Sequence, residues 1–337
     1  MTHRIRALSC LLLMAPATVV TATLLAQAPQ APATPPKPDT PAVTRHLDAA
    51  RKAAGTEWTQ AVDFICKVNP DRANRADDPL ITPTKIFDNV YAIGRTSTVV
   101  YAITTSAGIV LIDSGYADQV ETVLLPGLKT LGLDPANVRY VLLGHGHGDH
   151  FGGTAYFQQR GARVVLSAAD WDLTEAPPAP ARAGGPPAAA GPPPPKRDVV
   201  AKEGQAITVG DVAFTPVMIP GHTPGSLGYV FAVKDGGRTH TAGLFGGSIL
   251  IPGRIPDEGL QQYITSVEHF GDVARRMNVD VELQNHPLYD GFEAKLERLK
   301  ARRAGQPHPF AVGQAAYQRF LTVMTECTRA QIERRKL

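Results

Sequence analysis

The sequence predicts an α/β fold in which strands and helices alternate in layers. In the first half, apolar and β-branched stretches typical of strands alternate with helical stretches, and a glycine-rich loop opens into a further helix. The second half places strands on either side of a Gly- and Pro-rich turn, and the last third is mostly helical in pattern. Strand, helix, strand, loop and helix in this order are typical of layered α/β proteins.

Composition agrees with a soluble globular enzyme. The chain has 337 residues, of which 43% are hydrophobic and 19% charged, enough to bury a core of its own. The net charge of +3 comes without a run of Lys and Arg interleaved with aromatic residues, so no nucleic-acid partner is expected. The basic run 298–303 is typical of the solvated face of a helix.

The first residues resemble a targeting segment. Basic residues precede the apolar stretch 8–25, and Ala26-Gln27-Ala28 has the small-x-small pattern of a cleavage site. We expect 1–28 to be a signal peptide and the mature protein to be periplasmic or secreted. The alternative is an uncleaved membrane anchor, but Pro16 interrupts the stretch. No second stretch could span a bilayer, so no membrane contact is expected once the leader is removed.

The predicted elements up to the glycine-rich loop, and the helix directly after it, are as follows. Residues 29–42 are rich in Pro and Ala and predict a disordered linker. An N-terminal extension, 43–84, contains a helical pattern over 46–67. From residue 85, β-branched and alternating stretches predict strands over 86–87, 90–93, 99–104, 108–113 and 138–143, with a helix over 117–131 and another over 154–159.

A low-complexity segment, 176–196, interrupts the chain. It is almost entirely Pro, Ala and Gly, which cannot bury enough apolar area to offset the entropy of ordering, so a mobile loop is expected. It is either a lid over a site or a tolerated insertion. Beyond it we predict strands over 212–219, 228–233, 239–245 and 279–283, and helices over 260–277, 293–302 and 312–334.

Two cysteines remain after the leader, Cys66 and Cys327. In an oxidising compartment they are expected to pair, which would tie the N-terminal extension to the last helix. Neither has a metal-ligand neighbour at close spacing, which argues against a thiolate zinc site.

A dense group of possible metal ligands lies in the loop His145-Gly-His147-Gly-Asp149-His150. Alternate histidines of a tight loop can chelate one ion, and the glycines make such a loop sterically possible. Asp149 and His150 can serve a second ion nearby. His222, in a Gly- and Pro-rich turn after a strand, and His286, at the end of another strand, can complete the site.

These residues resemble the metallo-β-lactamase superfamily. The resemblance rests on HGHGDH, the turn GHTPGS, the strand end VLIDSG and the late NHP, and covers 85–290. It implies a four-layer αββα sandwich, here with N- and C-terminal helical extensions (43–84 and 291–337). It also implies a first zinc bound by His145, His147 and His222, a second bound by Asp149, His150 and His286, and support of the metal loop by Asp113.

One departure from the family pattern narrows the resemblance. Many of its hydrolases, lactonases among them, place an Asp that bridges both zincs after the strand that follows GHTPG, and some β-lactamases place a Cys there. Residues 242–248 contain neither. The ligand set therefore looks most like the third, cysteine-free subclass of metallo-β-lactamases, in which Ser248 would hold water or a substrate carboxylate. The alternative for Ser248 is an ordinary serine at a strand end.

The expected activity is hydrolysis of a small-molecule substrate by a dinuclear zinc enzyme. Two Zn²⁺ ions make hydroxide available near neutral pH, and Asp149 would orient it for attack on a carbonyl. A β-lactamase or β-lactamase-like amide hydrolase fits best, and export would place it where antibiotic resistance is useful. A lactone or ester hydrolase of the same fold and a non-catalytic zinc-binding protein are the alternatives. An iron oxidoreductase of this fold would carry acidic ligands that are not visible here.

Overall fold

The computed structural model describes residues 38–67, 78–176, 193–250 and 255–336. The predicted signal peptide, most of the linker 29–42 and most of the insertion 176–196 lie outside the described residues.

A seven-stranded mixed sheet forms the first half of the fold, with its strands in sequence order from edge to edge. Strands β1 to β4 pair antiparallel, and β4 to β7 pair parallel. The strands are β1 (Leu80–Phe87), β2 (Val90–Arg95), β3 (Val99–Thr105), β4 (Gly108–Ile112), β5 (Val138–Leu142), β6 (Arg163–Leu166) and β7 (Val199–Val200).

A second sheet has five strands in the order β12-β11-β10-β9-β8. Its pairs are antiparallel except for β11 and β12, which run parallel. The strands are β8 (Ile207–Val209), β9 (Val212–Met218), β10 (Leu227–Asp235), β11 (Arg238–Phe245) and β12 (Val281–Leu283).

Most helices cover the outer faces of the two sheets, whereas one near the C-terminus adds residues to the core between the sheets. The helices are α1 (Pro41–Ala54), α2 (Thr59–Ala61), α3 (Leu125–Thr130), α4 (Gly148–Phe151), α5 (Thr154–Gln158), α6 (Ala168–Glu175), α7 (Asp257–Arg276), α8 (Phe292–Lys300) and α9 (Gln314–Arg335). Shorter 3₁₀ and π turns span Val62–Cys66, Ala117–Gln119, Val120–Leu124 and Pro135–Asn137. No helix in the described ranges combines the length and apolarity that crossing a bilayer requires.

The alternating directions of the side chains along the strands show how the layers pack. Tyr101 of β3 lies in the core between the two sheets, whereas its neighbour Val100 lies in the core under α3, α5 and α6. In the second sheet, Tyr229 faces the first sheet and Val230 faces the layer formed by α1, α7 and α9. Because successive strand side chains point to opposite faces, each sheet is buried on both sides. The predicted four-layer αββα sandwich with terminal helical extensions is confirmed.

Several predicted boundaries need correction. Helix α1 begins at Pro41, inside the predicted linker, because Thr40 caps the helix and proline is favourable in a first turn. The first sheet begins at Leu80 rather than at residue 85. Pro83 lies in β1, which is tolerated because β1 is an edge strand with an irregular register between Ile81 and Thr84.

The predicted disulfide between Cys66 and Cys327 is present. It links the π turn Val62–Cys66 to α9, and both cysteines are buried in the core shared by α1, α7 and α9.

Candidate metal centre

The predicted site residues follow the ends of strands that point in the same direction. Asp113 follows β4 and His145 follows β5, and these two strands are parallel neighbours in the first sheet. In the second sheet, His222 follows β9, Ser248 follows β11 and His286 follows β12. Because β9, β11 and β12 share one direction, their carboxyl ends meet along one edge of the sandwich.

The three histidines that the resemblance assigns to one ion lie close together. His222 Nε2 lies 3.1 Å from His145 Nε2 and 3.1 Å from His147 Nδ1. The nitrogens of these three residues lie within 4.8 Å of one another, close enough to share one ion. We call this group the three-histidine subsite.

A second group adjoins the first. His150 Nε2 lies 3.0 Å from His286 Nε2. The Asp149 carboxylate approaches both rings, with Oδ2 at 3.5 Å from His150 Nε2 and at 3.9 Å from His286 Nε2. The His145 nitrogen also lies within 4.8 Å of those of His150 and His286, so His145 stands between the two groups. We call Asp149, His150 and His286 the carboxylate subsite.

Hydrogen bonds on the far side of the rings fix which nitrogen faces inward. The Nδ1–H of His145 donates to Gly246 O at 2.6 Å, that of His222 to Ile249 O at 2.5 Å, and that of His286 to Ser97 O at 2.7 Å. His150 Nδ1 lies 2.7 Å from Asp113 Oδ2. Because the Nδ1 atoms of His145, His222 and His286 carry the hydrogen, their inward-facing Nε2 atoms carry lone pairs. Lone pairs this close are stabilised by a shared cation, so the donor set fits divalent metal.

Burial and neighbouring charge set the protonation of these groups. Burial, reinforced by the surrounding imidazoles, lowers the pKa of His145 and of His222 well below the ordinary value and lowers that of His286 to about 4. Burial opposes charge on His150 too, but Asp149 and Asp113 outweigh it and raise the pKa of His150 to about 10. Burial would raise the pKa of Asp149, yet the adjacent histidines, His150 foremost, hold it below its usual range.

Asp113 supports the loop in the way the sequence predicts. Its Oδ1 accepts from Gly144 N at 2.7 Å, and its Oδ2 contacts His150, so one carboxylate holds both the loop backbone and a ring. Asp113 is fully buried and adopts a left-handed backbone (φ 62°), which is uncommon for a residue other than glycine.

The backbone of Leu227 and Gly144 lies so close to Gly246, directly after β11, that no side chain fits at that position. A Cβ at Gly246 would lie 2.2 Å from Leu227 O and 2.8 Å from Gly144 Cα. No acid can therefore stand at Gly246. Ser248 is buried with 1% exposure, and its carbonyl accepts from the Tyr263 hydroxyl at 3.2 Å. A contact between Ser248 and substrate stays a prediction.

Two buried polar residues that touch the site were missed from the sequence. The Asn285 amide donates to Asp113 Oδ2 and to Gly246 O, both at 2.9 Å. Asp170, near the start of α6, accepts from the backbone of Gly146 and of Gly225. Burial raises the pKa of Asp170, and its hydrogen bonds act against this. The only sequence signal for Asp170 is the pattern Ser167-x-x-Asp170, in which Ser167 caps α6.

A match to a family model decides the classification. The model of the metallo-beta-lactamase superfamily matches residues 93–274, more than half of the chain. The chain belongs to the metallo-beta-lactamase superfamily. The superfamily fold implies a divalent metal, typically zinc, in keeping with the histidine cluster.

Solved structures agree with this classification. BJP-1, a subclass B3 metallo-beta-lactamase of Bradyrhizobium japonicum, is 28% identical with a TM-score of 0.61, covering 71% of this chain and 89% of that one. A mutant of FEZ-1, the metallo-beta-lactamase from Legionella gormanii, is 19% identical with a TM-score of 0.63, covering 78% of this chain and 99% of that one. At that identity, the second likeness shows the superfamily fold alone.

A curated relative has a different activity. The N-acyl homoserine lactonase AttM of Agrobacterium fabrum is 28% identical over 125 residues, which is 36% of this chain and 44% of the lactonase. The match thus spans less than half the length of that relative. Proteins similar to this chain therefore include both β-lactamases and a lactonase.

Proposed function

We propose that this protein is an exported dinuclear zinc hydrolase that opens the amide bond of β-lactams. The observation that carries the proposal is the pairing of a three-histidine subsite with an adjoining Asp-His-His subsite, without an acid at the end of β11. The likeness to a subclass B3 enzyme, which covers most of both chains, supports β-lactams as substrates.

The residues of the chain define what the site can do. Bound zinc would supply a Lewis acid and an acidified water. Three rings in the three-histidine subsite and two in the carboxylate subsite would hold the ions, and outer hydrogen bonds orient those of His145, His222, His150 and His286. The Asp149 carboxylate, ionised because its pKa is held low, faces both rings of its own subsite. The carboxylate is therefore placed to accept a hydrogen bond from an attacking water.

A second candidate is hydrolysis of a lactone. It is favoured by the match to the AttM lactonase. The end of β11 argues against it, because the resemblance leads us to expect a bridging Asp there in lactonases. Gly246 is closed to any side chain, so that ligand could not be supplied from that position.

The experiment compares the two substrates on one preparation. We expect zinc-loaded protein to hydrolyse a chromogenic cephalosporin, and we expect a chelator to abolish turnover and added zinc to restore it.

Asp149→Asn should lower kcat by about 10²–10⁴-fold, the usual contribution of a positioned acid or base. The matched control is Asp211→Asn, an exposed carboxylate paired with Lys234, which should leave kcat unchanged. Turnover of an N-acyl homoserine lactone alone would select the second candidate. Zinc-loaded protein that hydrolyses neither substrate would refute both.

Export is supported by the disulfide between Cys66 and Cys327, because such bonds persist in oxidising compartments. Fractionation of cells that express the full chain should recover the protein outside the cytoplasm, in a form shortened by about the length of the leader. Full-length protein in the cytoplasm would contradict export.

A further inference from the structure

Asp170 joins two segments that are far apart in sequence. Its Oδ2 accepts from Gly146 N at 2.7 Å, and Gly146 stands between His145 and His147. The same oxygen accepts from the Thr223 hydroxyl at 2.7 Å, and Oδ1 accepts from Gly225 N at 2.8 Å. Thr223 and Gly225 belong to the turn that carries His222. One carboxylate therefore contacts the backbone around all three residues of the three-histidine subsite.

The surroundings of Asp170 fit this role tightly. The residue is fully buried, and its backbone N–H is capped by Ser167 Oγ at 3.2 Å at the start of α6. A Cβ at Gly225 would lie 2.0 Å from Ser167 Oγ and 2.8 Å from Asp170 Oδ1, so the turn can approach only because residue 225 is glycine.

The carboxylate subsite is held by a separate set of contacts. Asp113 contacts His150, and Ser97 O accepts from His286. The hydrogen bonds described for the Asp170 side chain reach Gly146, Thr223 and Gly225, which all flank the three-histidine subsite.

The structure assigns Asp170 as the positioning residue that holds His145, His147 and His222 in one metal subsite by fastening the HxHxDH loop to the GHTPGS turn. This inference rests on the metal site of the proposed function but not on the identity of the substrate. Asp170 touches neither metal nor substrate in this role. It acts by reducing the freedom of the two segments, so the bound geometry exists before the metal arrives.

Asp170→Asn tests the inference with little change in volume. The carboxylate accepts from three donors, whereas a carboxamide replaces one oxygen with an NH₂ group. Whichever way the amide is turned, it opposes at least one of the backbone N–H groups of Gly146 and Gly225. We expect zinc affinity at the three-histidine subsite to fall by about 10–100-fold, as for other residues that orient metal ligands. Thr223→Val removes one of the three contacts and should give a smaller loss.

The two subsites can be separated by testing Asp170→Asn in two backgrounds. His286→Ala weakens the carboxylate subsite, and His222→Ala weakens the three-histidine subsite. Zinc affinity is measured by competition with a chromophoric chelator. We expect Asp170→Asn to lower affinity in the His286→Ala background and to leave it unchanged in the His222→Ala background. General loss of structure would lower both, so this pattern distinguishes positioning from folding. Asp198→Asn is the matched control, since Asp198 accepts from Val164 N outside the site.

Equal affinities with Asp and Asn at position 170 in the His286→Ala background would overturn the inference, as would equal losses in the two backgrounds. A cephalosporin that is not hydrolysed would refute the proposed function and leave this measurement intact.

Discussion

At the scale of single residues, the site is organised by the groups that the metal-facing histidines contact on their outer sides. Asn285 is the clearest case. Its amide donates to Gly246 O, which also accepts from His145, and to Asp113 Oδ2, which also contacts His150. Asn285 therefore touches the outer partner of one ring from each subsite. It is fully buried and lies next to His286 in sequence.

Asn285→Asp is expected to weaken metal binding at both subsites. A carboxylate there would face Asp113 and Gly246 O, so two favourable N–H contacts would become repulsive contacts between oxygens. Zinc affinity should fall by about 10–100-fold, with kcat falling as well. The measurement is zinc competition followed by turnover at saturating zinc.

Asn89→Asp provides the control for that variant. Asn89 also contacts backbone groups, donating to Ala232 O at 3.3 Å and accepting from Lys234 N at 2.9 Å, but it lies away from the metal ligands. The zinc affinity of the Asn89→Asp variant should match that of the wild type. Wild-type affinity in Asn285→Asp would show that the rings are oriented without the amide.

At the scale of elements, the sequence predicted site residues most readily where they lie close together along the chain, and it missed two whose contacts are distant in sequence. The loop 145–150 carries four candidate ligands within six positions, so the motif identifies them together. Asp170 and Asn285 were missed because their partners are remote. Asp170 lies 24 and 55 positions from the two glycines that it contacts, and Asn285 lies 172 positions from Asp113. Such contacts depend on the fold: the motif NHP includes Asn285 but does not show which residues its side chain contacts.

Long periodic elements were predicted, whereas some of the shortest strands were missed. Helices α7 and α9 lie within a few residues of their predicted ranges because their apolar faces repeat over 20 and 22 residues. The strands β7 and β8 have two and three residues, too few to show an alternation. The predicted helix 117–131 is a series of 3₁₀, π and α turns, with Pro126 in the first turn of α3.

A buried group of charges joins β12 to α8, next to the strand end that carries His286. Lys295 Nζ lies 2.5 Å from Glu282 Oε2 and 3.1 Å from Asp290 Oδ2, and all three side chains are almost fully buried. Burial raises the pKa of Glu282, and Lys295 opposes the rise. Two carboxylates thus depend on one ammonium group.

Lys295→Met should lower the free energy of unfolding by about 3–5 kcal/mol at neutral pH, because it leaves buried carboxylates without their cation. The loss should grow as the pH rises. Without Lys295 the folded-state pKa of Glu282 lies further above its unfolded value. A raised pKa contributes stability below the unfolded value, and that contribution is lost as the pH rises through the folded value. Urea unfolding of variant and wild type at pH values below and above about 8, where the pKa of wild-type Glu282 lies, measures this difference.

Lys300→Met is the matched control on the same helix. Lys300 forms an exposed pair with Glu297 at 2.7 Å, of the kind that contributes about 0–1 kcal/mol. Adding Glu282→Gln to Lys295→Met should restore part of the lost stability, since it removes one of the uncompensated charges. If Lys295→Met were as stable as Lys300→Met, the buried cluster would not stabilise this corner of the fold.

At the scale of the whole molecule, the two ends of the described chain form one layer over the second sheet. Helices α1, α7 and α9 share a core with residues of β9 and β10. Side chains also join the two ends: Trp58 Nε1 donates to Ala316 O at 2.9 Å, and Gln331 Nε2 donates to Ile65 O at 2.9 Å. The disulfide between Cys66 and Cys327 closes this layer across 261 positions of sequence.

The disulfide should stabilise the fold without affecting the chemistry of the site. A cross-link between residues so distant in sequence removes much of the freedom of the unfolded chain, and loss of a native disulfide typically costs about 2–5 kcal/mol. We expect that loss in the double variant Cys66→Ala/Cys327→Ala by urea unfolding. Zinc affinity at 25 °C should not change, because the cysteines lie in the outer core and the ligands at the strand ends. A reductant should lower the stability of the wild type towards that of the double variant and leave the double variant unchanged. Equal stability of wild type and double variant would mean that the packing of α1 against α9 restrains the chain ends without the bond. A loss of zinc affinity would mean that the terminal layer also supports the metal-binding strand ends.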